Sequence, residues 1–287
     1  MVTVINIMNM TTRKEFLIKT GMLTAGVVLL PSFSIPPKNP KKNLGVQLYT
    51  FREEMAADAI GTLKKIAALG IKQIESARSA EGLYYGLKPK EMKRICEDLG
   101  MTLRSGHVAL DADWEKTMDL AQESGQEYLI CSSLPSNGQT ADNYKALAEA
   151  FNKAGEECKR RNIKFGYHNH EYEFESENGE VFYDILLNNT QSDLVYMELD
   201  LGWVVVAGKD PLDYFERYQG RFPLWHLKDM DMDKKESTEF GKGGLDIPLM
   251  LKHKKQSGLK YIFIEQEEYS STPFESMEHN MKFMKNL

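Results

Sequence analysis

Cysteine is scarce in this chain. Cys96, Cys131 and Cys158 are too few and too widely spaced for a disulfide framework or a zinc knuckle, so they read as buried thiols. Basic runs beside an aromatic platform are also missing. With 36 Lys and Arg against 42 Asp and Glu, the net charge is −6 and the basic residues are scattered. That excludes a nucleic-acid-binding surface as the main role and disfavours an endonuclease. The apolar stretch from Met22 to Leu30 is well short of the ~20 residues of a membrane-spanning helix, so no integral membrane segment is expected in the mature chain. What is present, 42% hydrophobic and 27% charged residues with 21 Gly and 10 Pro, is the composition of an ordinary globular protein.

Residues 1–34 are a different kind of sequence. A basic region, Arg13-Lys14-Glu15-Phe16-Leu17-Ile18-Lys19, precedes the apolar stretch, and small residues follow at Ser32 and Ser34, the layout of a secretory signal. Thr12-Arg13-Lys14-Glu15-Phe16-Leu17 resembles a twin-arginine export signal with Lys14 in place of the second arginine. Export, to a periplasm, is therefore the expectation, with residues 35–43 as a Pro/Lys linker.

Residues 44–287 form the expected single domain, near the ~250 residues typical of a (β/α)8 barrel. Short apolar runs predict strands at Leu44–Tyr49, Ile71–Glu75, Thr102–His107, Tyr128–Cys131, Lys164–His168, Leu194–Leu199, Leu224–Lys228 and Tyr261–Gln266. Helical stretches fall between and after them, near 57–69, 88–99, 113–124, 140–161, 180–188, 210–219, 246–257 and 274–285. Gly70, Gly100, Gly125 and Gly258 stand where a helix ends and the next strand begins, as αL caps of a repeating unit. Eight such units without a leftover strand predict an α/β fold closed into a (β/α)8 TIM barrel. Leu48-Tyr49-Thr50-Phe51-Arg52 after the first strand has no glycine, which removes the main support for a dinucleotide fold.

In such a barrel the site is built at the carboxyl ends of the strands, and four of the six histidines, His107, His168, His170 and His226, fall there. His253 and His279 fall in helices and read as surface residues. Side chains two apart on a strand share a side, which pairs His168 with His170, Glu198 with Asp200, His226 with Lys228, and Glu265 with Glu267. Charges turned into a barrel are costly unless paired or bound to a metal. Imidazoles and carboxylates from neighbouring strands suit one divalent ion of the Mn, Co, Zn or Fe kind and offer too few oxygens for calcium. The preferred ligands are His168, Asp200, His226 and Glu265.

Leu44-Gly45-Val46-Gln47-Leu48-Tyr49-Thr50, Tyr167-His168-Asn169-His170, Leu199-Asp200-Leu201-Gly202-Trp203 with Ala207-Gly208, Ile264-Glu265-Gln266, and above all His226-Leu227-Lys228-Asp229 with Gly241-Lys242-Gly243 carry a resemblance. The chain from residue 44 onward resembles the sugar phosphate isomerase/epimerase superfamily, the xylose isomerase-like TIM barrels. Related epimerases hold one metal with Glu, Asp, His and Glu from the fifth to eighth strands. Asp200, His226 and Glu265 match the last three, while His168 stands at the position of the fifth-strand Glu.

The resemblance implies a metal-dependent sugar isomerase or epimerase that moves a proton α to a carbonyl. His168 in the place of a glutamate breaks the symmetric two-base arrangement and leaves open a keto-sugar dehydratase or 3-keto-glycoside lyase, or a sugar-binding barrel without catalysis. Glu265, His168 and Lys228 are the expected catalytic residues, Lys228 as stabiliser of an enediolate. His107, His170, Glu75 and Trp203 are expected to contact substrate. Tyr49, Phe51 and Tyr167, with Trp203, suit stacking on a sugar face. The loop Gly241-Lys242-Gly243-Gly244 reads as a flexible lid, in the usual place of a phosphate site. An exported enzyme meets free sugars or glycosides rather than phosphorylated ones. Whether the chain forms a homo-oligomer is left open.

Overall fold

The computed structural model describes residues 43–134 and 138–287, and all structural statements below concern these. The expected signal segment, and the linker as far as residue 42, lie outside the described residues. Eight parallel strands, β1 (Leu44–Gln47), β2 (Gln73–Ser76), β3 (Thr102–Val108), β4 (Tyr128–Cys131), β5 (Lys164–His168), β6 (Val195–Asp200), β7 (Leu224–Leu227) and β8 (Tyr261–Ile264), pair in sequence order. β8 then pairs back onto β1, with Val46 opposite Ile264, and the ring is closed. The strand ends depart from the sequence expectation by at most two residues. Gly70, Gly100, Gly125 and Gly258 all have positive φ, between 69° and 88°, as helix-ending glycines should.

Alternation along the strands sorts side chains into two apolar regions. Val46, Ile74, Leu129, Phe165, Met197, Leu199, Trp225 and Ile264 point outward and are fully buried with the helices in the main core, each worth about 1.5–3 kcal/mol of burial. A separate inner cluster of Tyr128, Ile130, Leu224 and Phe263, flanked by Tyr196 and Tyr261, fills the barrel axis. On three of the strands, Tyr196, Leu224 and Phe263 are followed two residues later, toward the carboxyl ends, by Glu198, His226 and Glu265. The apolar plug is thus the floor of the polar site.

Two features have no counterpart in the sequence reading. Asp200 ends β6 and at once caps a short helix, Leu201–Val206, through Oδ1, which accepts from the Trp203 amide at 3.0 Å. Two-stranded hairpins, Ser176–Glu177 with Glu180–Val181 and Asp229–Asp231 with Glu236–Thr238, follow β5 and β7. Among the described residues no helix is long and apolar enough to cross a membrane.

Candidate active site at the carboxyl ends of the strands

His226 lies at the centre of the polar cluster, fully buried, with carboxylates against both ring nitrogens. Its Nε2 is 2.6 Å from Glu75 Oε1 and 3.2 Å from Glu198 Oε2; its Nδ1 is 3.0 Å from Glu265 Oε2 and 3.9 Å from Asp200 Oδ2. Burial opposes charge on this ring, but Glu198, Glu265 and Glu75 override it and hold its pKa well above the ordinary imidazole value. On the Nε2 side, His107 Nε2 reaches Glu198 Oε2 at 2.8 Å and Glu75 Oε1 at 3.4 Å, and Gln47 donates to Glu75 Oε1 at 2.9 Å. Burial and the neighbouring charge of Glu198 push the Glu75 carboxyl up to about 7. For Glu198, burial is outweighed by His226, His107 and His168, which hold it well below the usual carboxylate range. Glu198 is therefore the ionised member of the pair.

On the Nδ1 side, the structure brings together the four residues preferred from sequence. Ligand atoms of His168, Asp200, His226 and Glu265, all buried, lie within 4.8 Å of one another. Asn169 fixes the Asp200 backbone, its Oδ1 accepting from the Asp200 amide at 3.0 Å. Asp200 Oδ2 has no aligned hydrogen bond, and Lys228 Nζ stands 3.1 Å from it. His168 Nδ1 has no aligned hydrogen bond either; it is 3.4 Å from Glu198 Oε2. Burial and the His226 charge push the His168 pKa well below the ordinary value, so its imidazole is neutral and free to act as a ligand.

Lys228, expected at the substrate, is enclosed instead. Its ammonium pairs with Glu265 at 2.7 Å, Glu267 at 2.7 Å and Asp200 at 3.1 Å, and lies 4.8 Å from the centre of the Trp203 ring. Three carboxylates surround its ammonium, which makes Lys228 a positioning residue for Asp200 and Glu265. Glu75 is likewise fully buried under hydrogen bonds to Gln47 and His226, away from the mouth where a sugar hydroxyl would meet it. His170 and Trp203 do reach the partly exposed mouth, their ring centres 6.2 Å apart. Burial and the Lys228 charge lower the His170 pKa to about 4, so this imidazole is neutral near pH 7.

Behind His170, the buried carboxyl of Glu173 accepts from the His170 amide at 2.7 Å and the Tyr167 hydroxyl at 2.6 Å. Burial pushes it up to about 8 from an ordinary 4.5. Between those values the folded chain holds a proton that the unfolded chain has lost, so this group makes stability fall as pH rises through that window. Glu173→Gln is expected to flatten the fall. Urea unfolding at either end of the window checks it, and equal pH slopes in the two proteins would contradict it.

The loop after β7 is tied down, contrary to the expectation of a flexible lid. The buried Asp229 carboxylate accepts from four backbone amides, those of Met230, Gly241, Gly243 and Leu245, at 2.8–3.1 Å. The amides of Lys242 and Gly244 are bonded to Glu239 and Met230 carbonyls. Every N–H from Gly241 to Leu245 is therefore taken, and none is left to cradle a phosphate. A Cβ on Gly243 would lie 2.2 Å from Asp229 Oδ1, so the close approach requires glycine.

Two aromatic expectations also change. Phe51 packs against Phe274, and Tyr167, one residue from His168 and so on the opposite side of β5, packs outward against Phe151. Tyr49 remains 39% exposed beside Arg52. Sequence reasoning passed over Glu198, Gln47, Asn169 and Glu173. For Glu198 the signal was present, since it alternates with Asp200; for Glu173, in a loop, there was none.

A family model described as xylose isomerase-like TIM barrel matches residues 63–287. An inosose dehydratase of Clostridium perfringens is 34% identical over 98 residues, 34% of this chain and 32% of its own; one of Clostridium beijerinckii is 27% identical over 164 residues, 50% of this chain and 54% of its own. The chain thus spans between about a third and about half the length of these curated relatives. A solved sugar phosphate isomerase/epimerase from Parabacteroides distasonis superposes with a TM-score of 0.77 at 26% identity, covering 88% of this chain and 97% of that one.

Proposed function

The chain belongs to the xylose isomerase-like TIM barrel family, and from that premise we propose that it is a divalent-metal-dependent enzyme acting on keto-sugars, which removes a proton α to the carbonyl and completes a β-elimination. The observation that carries this reading is the meeting of His168, Asp200, His226 and Glu265 within 4.8 Å at the inner strand ends. These donors fit a cation of the Mn, Co, Zn or Fe kind: two imidazoles and two carboxylates, with His168 Nδ1 and Asp200 Oδ2 buried and not engaged in a hydrogen bond. When bound, a divalent cation there polarises the carbonyl oxygen and acidifies the adjacent C–H bond.

The chain's own groups supply the rest. Burial opposes ionisation of Glu265, but Lys228 and His226 hold it well below the usual range, so it is a carboxylate ready to take the α-proton. As that proton leaves, the C–H electrons form the C=C bond, the β C–O bond breaks, and the departing oxygen takes a proton back from Glu265. His170 and Trp203 at the mouth orient the ring by a hydrogen bond and an apolar face. Epimerisation would need a second acid–base group on the opposite face of the carbon, and His168, the candidate on β5, is held far below ordinary imidazole basicity. Elimination is therefore preferred here to the epimerisation that the family resemblance implies, and the inosose dehydratases among the relatives support the same choice. Export, expected from residues 1–34, would present free keto-sugars or glycosides rather than phosphorylated ones.

Incubation with free aldoses, ketoses and 3-keto-glycosides in D₂O tests this. The expected result is loss of water, or release of two fragments, from a keto-sugar. A product of the same mass apart from deuterium would replace elimination with isomerisation. Sugar binding without turnover would leave only a binding barrel.

A further inference from the structure

Acidic side chains in the site outnumber those that one cation would use. Glu75, Glu198, Asp200 and Glu265 are each at most 5% exposed, and Glu267 closes over Lys228, so five carboxyl groups share the site with one ammonium and the imidazoles of His107 and His226. A cation among Asp200, Glu265 and His226 Nδ1 serves one side of the His226 ring. Glu198 and Glu75, on the Nε2 side, are left with imidazoles, joined for Glu75 by the Gln47 amide.

That second side has the form of a site. His107, His168, Glu198 and His226 are all buried and offer ligand atoms within 4.8 Å of one another. His107 Nε2 is 2.8 Å, His226 Nε2 3.2 Å and His168 Nδ1 3.4 Å from Glu198 Oε2. A tetrahedral zinc-type ion with bonds of ~2.0–2.2 Å spaces its ligand atoms roughly 3.3–3.5 Å apart, so small movements would admit one. Hydrogen bonding does not exhaust the donors. Glu198 Oε1 and Glu75 Oε2 are buried without a partner, and His168, 2% exposed, aims an unbonded Nδ1 at Glu198. Each such orphan is destabilising if nothing else meets it.

We propose that the barrel binds a second divalent transition-metal ion, held by His107, His168, Glu198 and Nε2 of His226, with the His226 ring bridging it to the outer cation. The proposal rests on the outer site described above. Binding displaces the proton that now lies between His226 Nε2 and Glu75 Oε1, and that proton is released to solvent. His168, which belongs to both sets of four, then serves the inner ion through Nδ1, and Asp200, Glu265 and His226 Nδ1 remain for the outer one.

The test is metal content after chelator stripping, reloading with Co²⁺ or Zn²⁺ and desalting. Wild type is expected to retain two equivalents, the His107→Ala/Glu198→Gln double variant one, and Asp200→Asn one, with circular dichroism confirming the fold of each. One equivalent in wild type, lost in Asp200→Asn but kept in the double variant, overturns the inner site and leaves the outer one standing. No retained metal in wild type overturns both. Two equivalents that survive in the double variant place the second ion elsewhere and also overturn the proposal. If the double variant does not fold, electron paramagnetic resonance of Cu²⁺-loaded wild type decides. A spin-coupled pair across an imidazole ring is expected, and a single isolated Cu²⁺ signal contradicts it.

Discussion

Asp200→Asn is expected to weaken metal retention sharply and lower kcat/KM by roughly 10²–10³-fold while the protein stays folded. The two oxygens of Asp200 do separate work. Oδ1 caps the helix that begins at Leu201 by accepting from the Trp203 amide, and asparagine caps as well as aspartate. Oδ2 faces Lys228 and the cluster of Glu265 and His226, where an anion joins Glu265 and Glu267 around the ammonium and completes the ligand set. Asn keeps the first function and loses the second. Asp200→Ala adds the loss of the cap, about 1 kcal/mol, and so tests the same point less cleanly. Elemental analysis with unfolding curves checks the prediction; wild-type metal content and turnover in Asp200→Asn would remove this residue from the site.

The largest stability effect is expected at a residue that touches no substrate. Asp229→Ala leaves four backbone N–H groups without their acceptor, two buried (Met230, Leu245) and two part-buried (Gly241, Gly243), and should cost about 3–5 kcal/mol, since losing one partner of a charge-assisted network exposes the penalty of the others. Asp229→Asn should lie between, because its NH₂ would face amides that also donate. Gly243→Ala should act through the same contact, its methyl group falling on the Asp229 carboxylate. Urea unfolding midpoints give the comparison, and a loss below about 1 kcal/mol for Asp229→Ala would show that the loop is not anchored there.

Legibility in the sequence followed the range of the physical signal. The eight strands and their helix-ending glycines were readable because period-two patterning and positive-φ glycines are local properties. The same alternation picked out His168, Asp200, His226 and Glu265, since each follows from direction on a single strand. Depth did not follow. Glu198 shares its side with Asp200 but lies two residues earlier, roughly 7 Å deeper, and its meeting with His107 of β3 depends on the shear of the closed barrel. Lys228 could be aimed inward but not counted against three carboxylates. Tyr167 was misassigned against the alternation itself, because a neighbour of inward His168 must point outward. The loop from Gly241 to Leu245 was recognisable by composition, yet its rigidity comes from Asp229, twelve residues before it begins.

Convergence of the last three strands on one cation is tested most directly by anomalous diffraction from crystals of the metal-loaded protein, with data collected on either side of the absorption edge of the bound metal. The account predicts a peak within about 2.0–2.3 Å of His226 Nδ1 and of carboxylate oxygens from Asp200 and Glu265. A map of the loaded protein with no peak among those three side chains, or with its only peak at the protein surface, would contradict it.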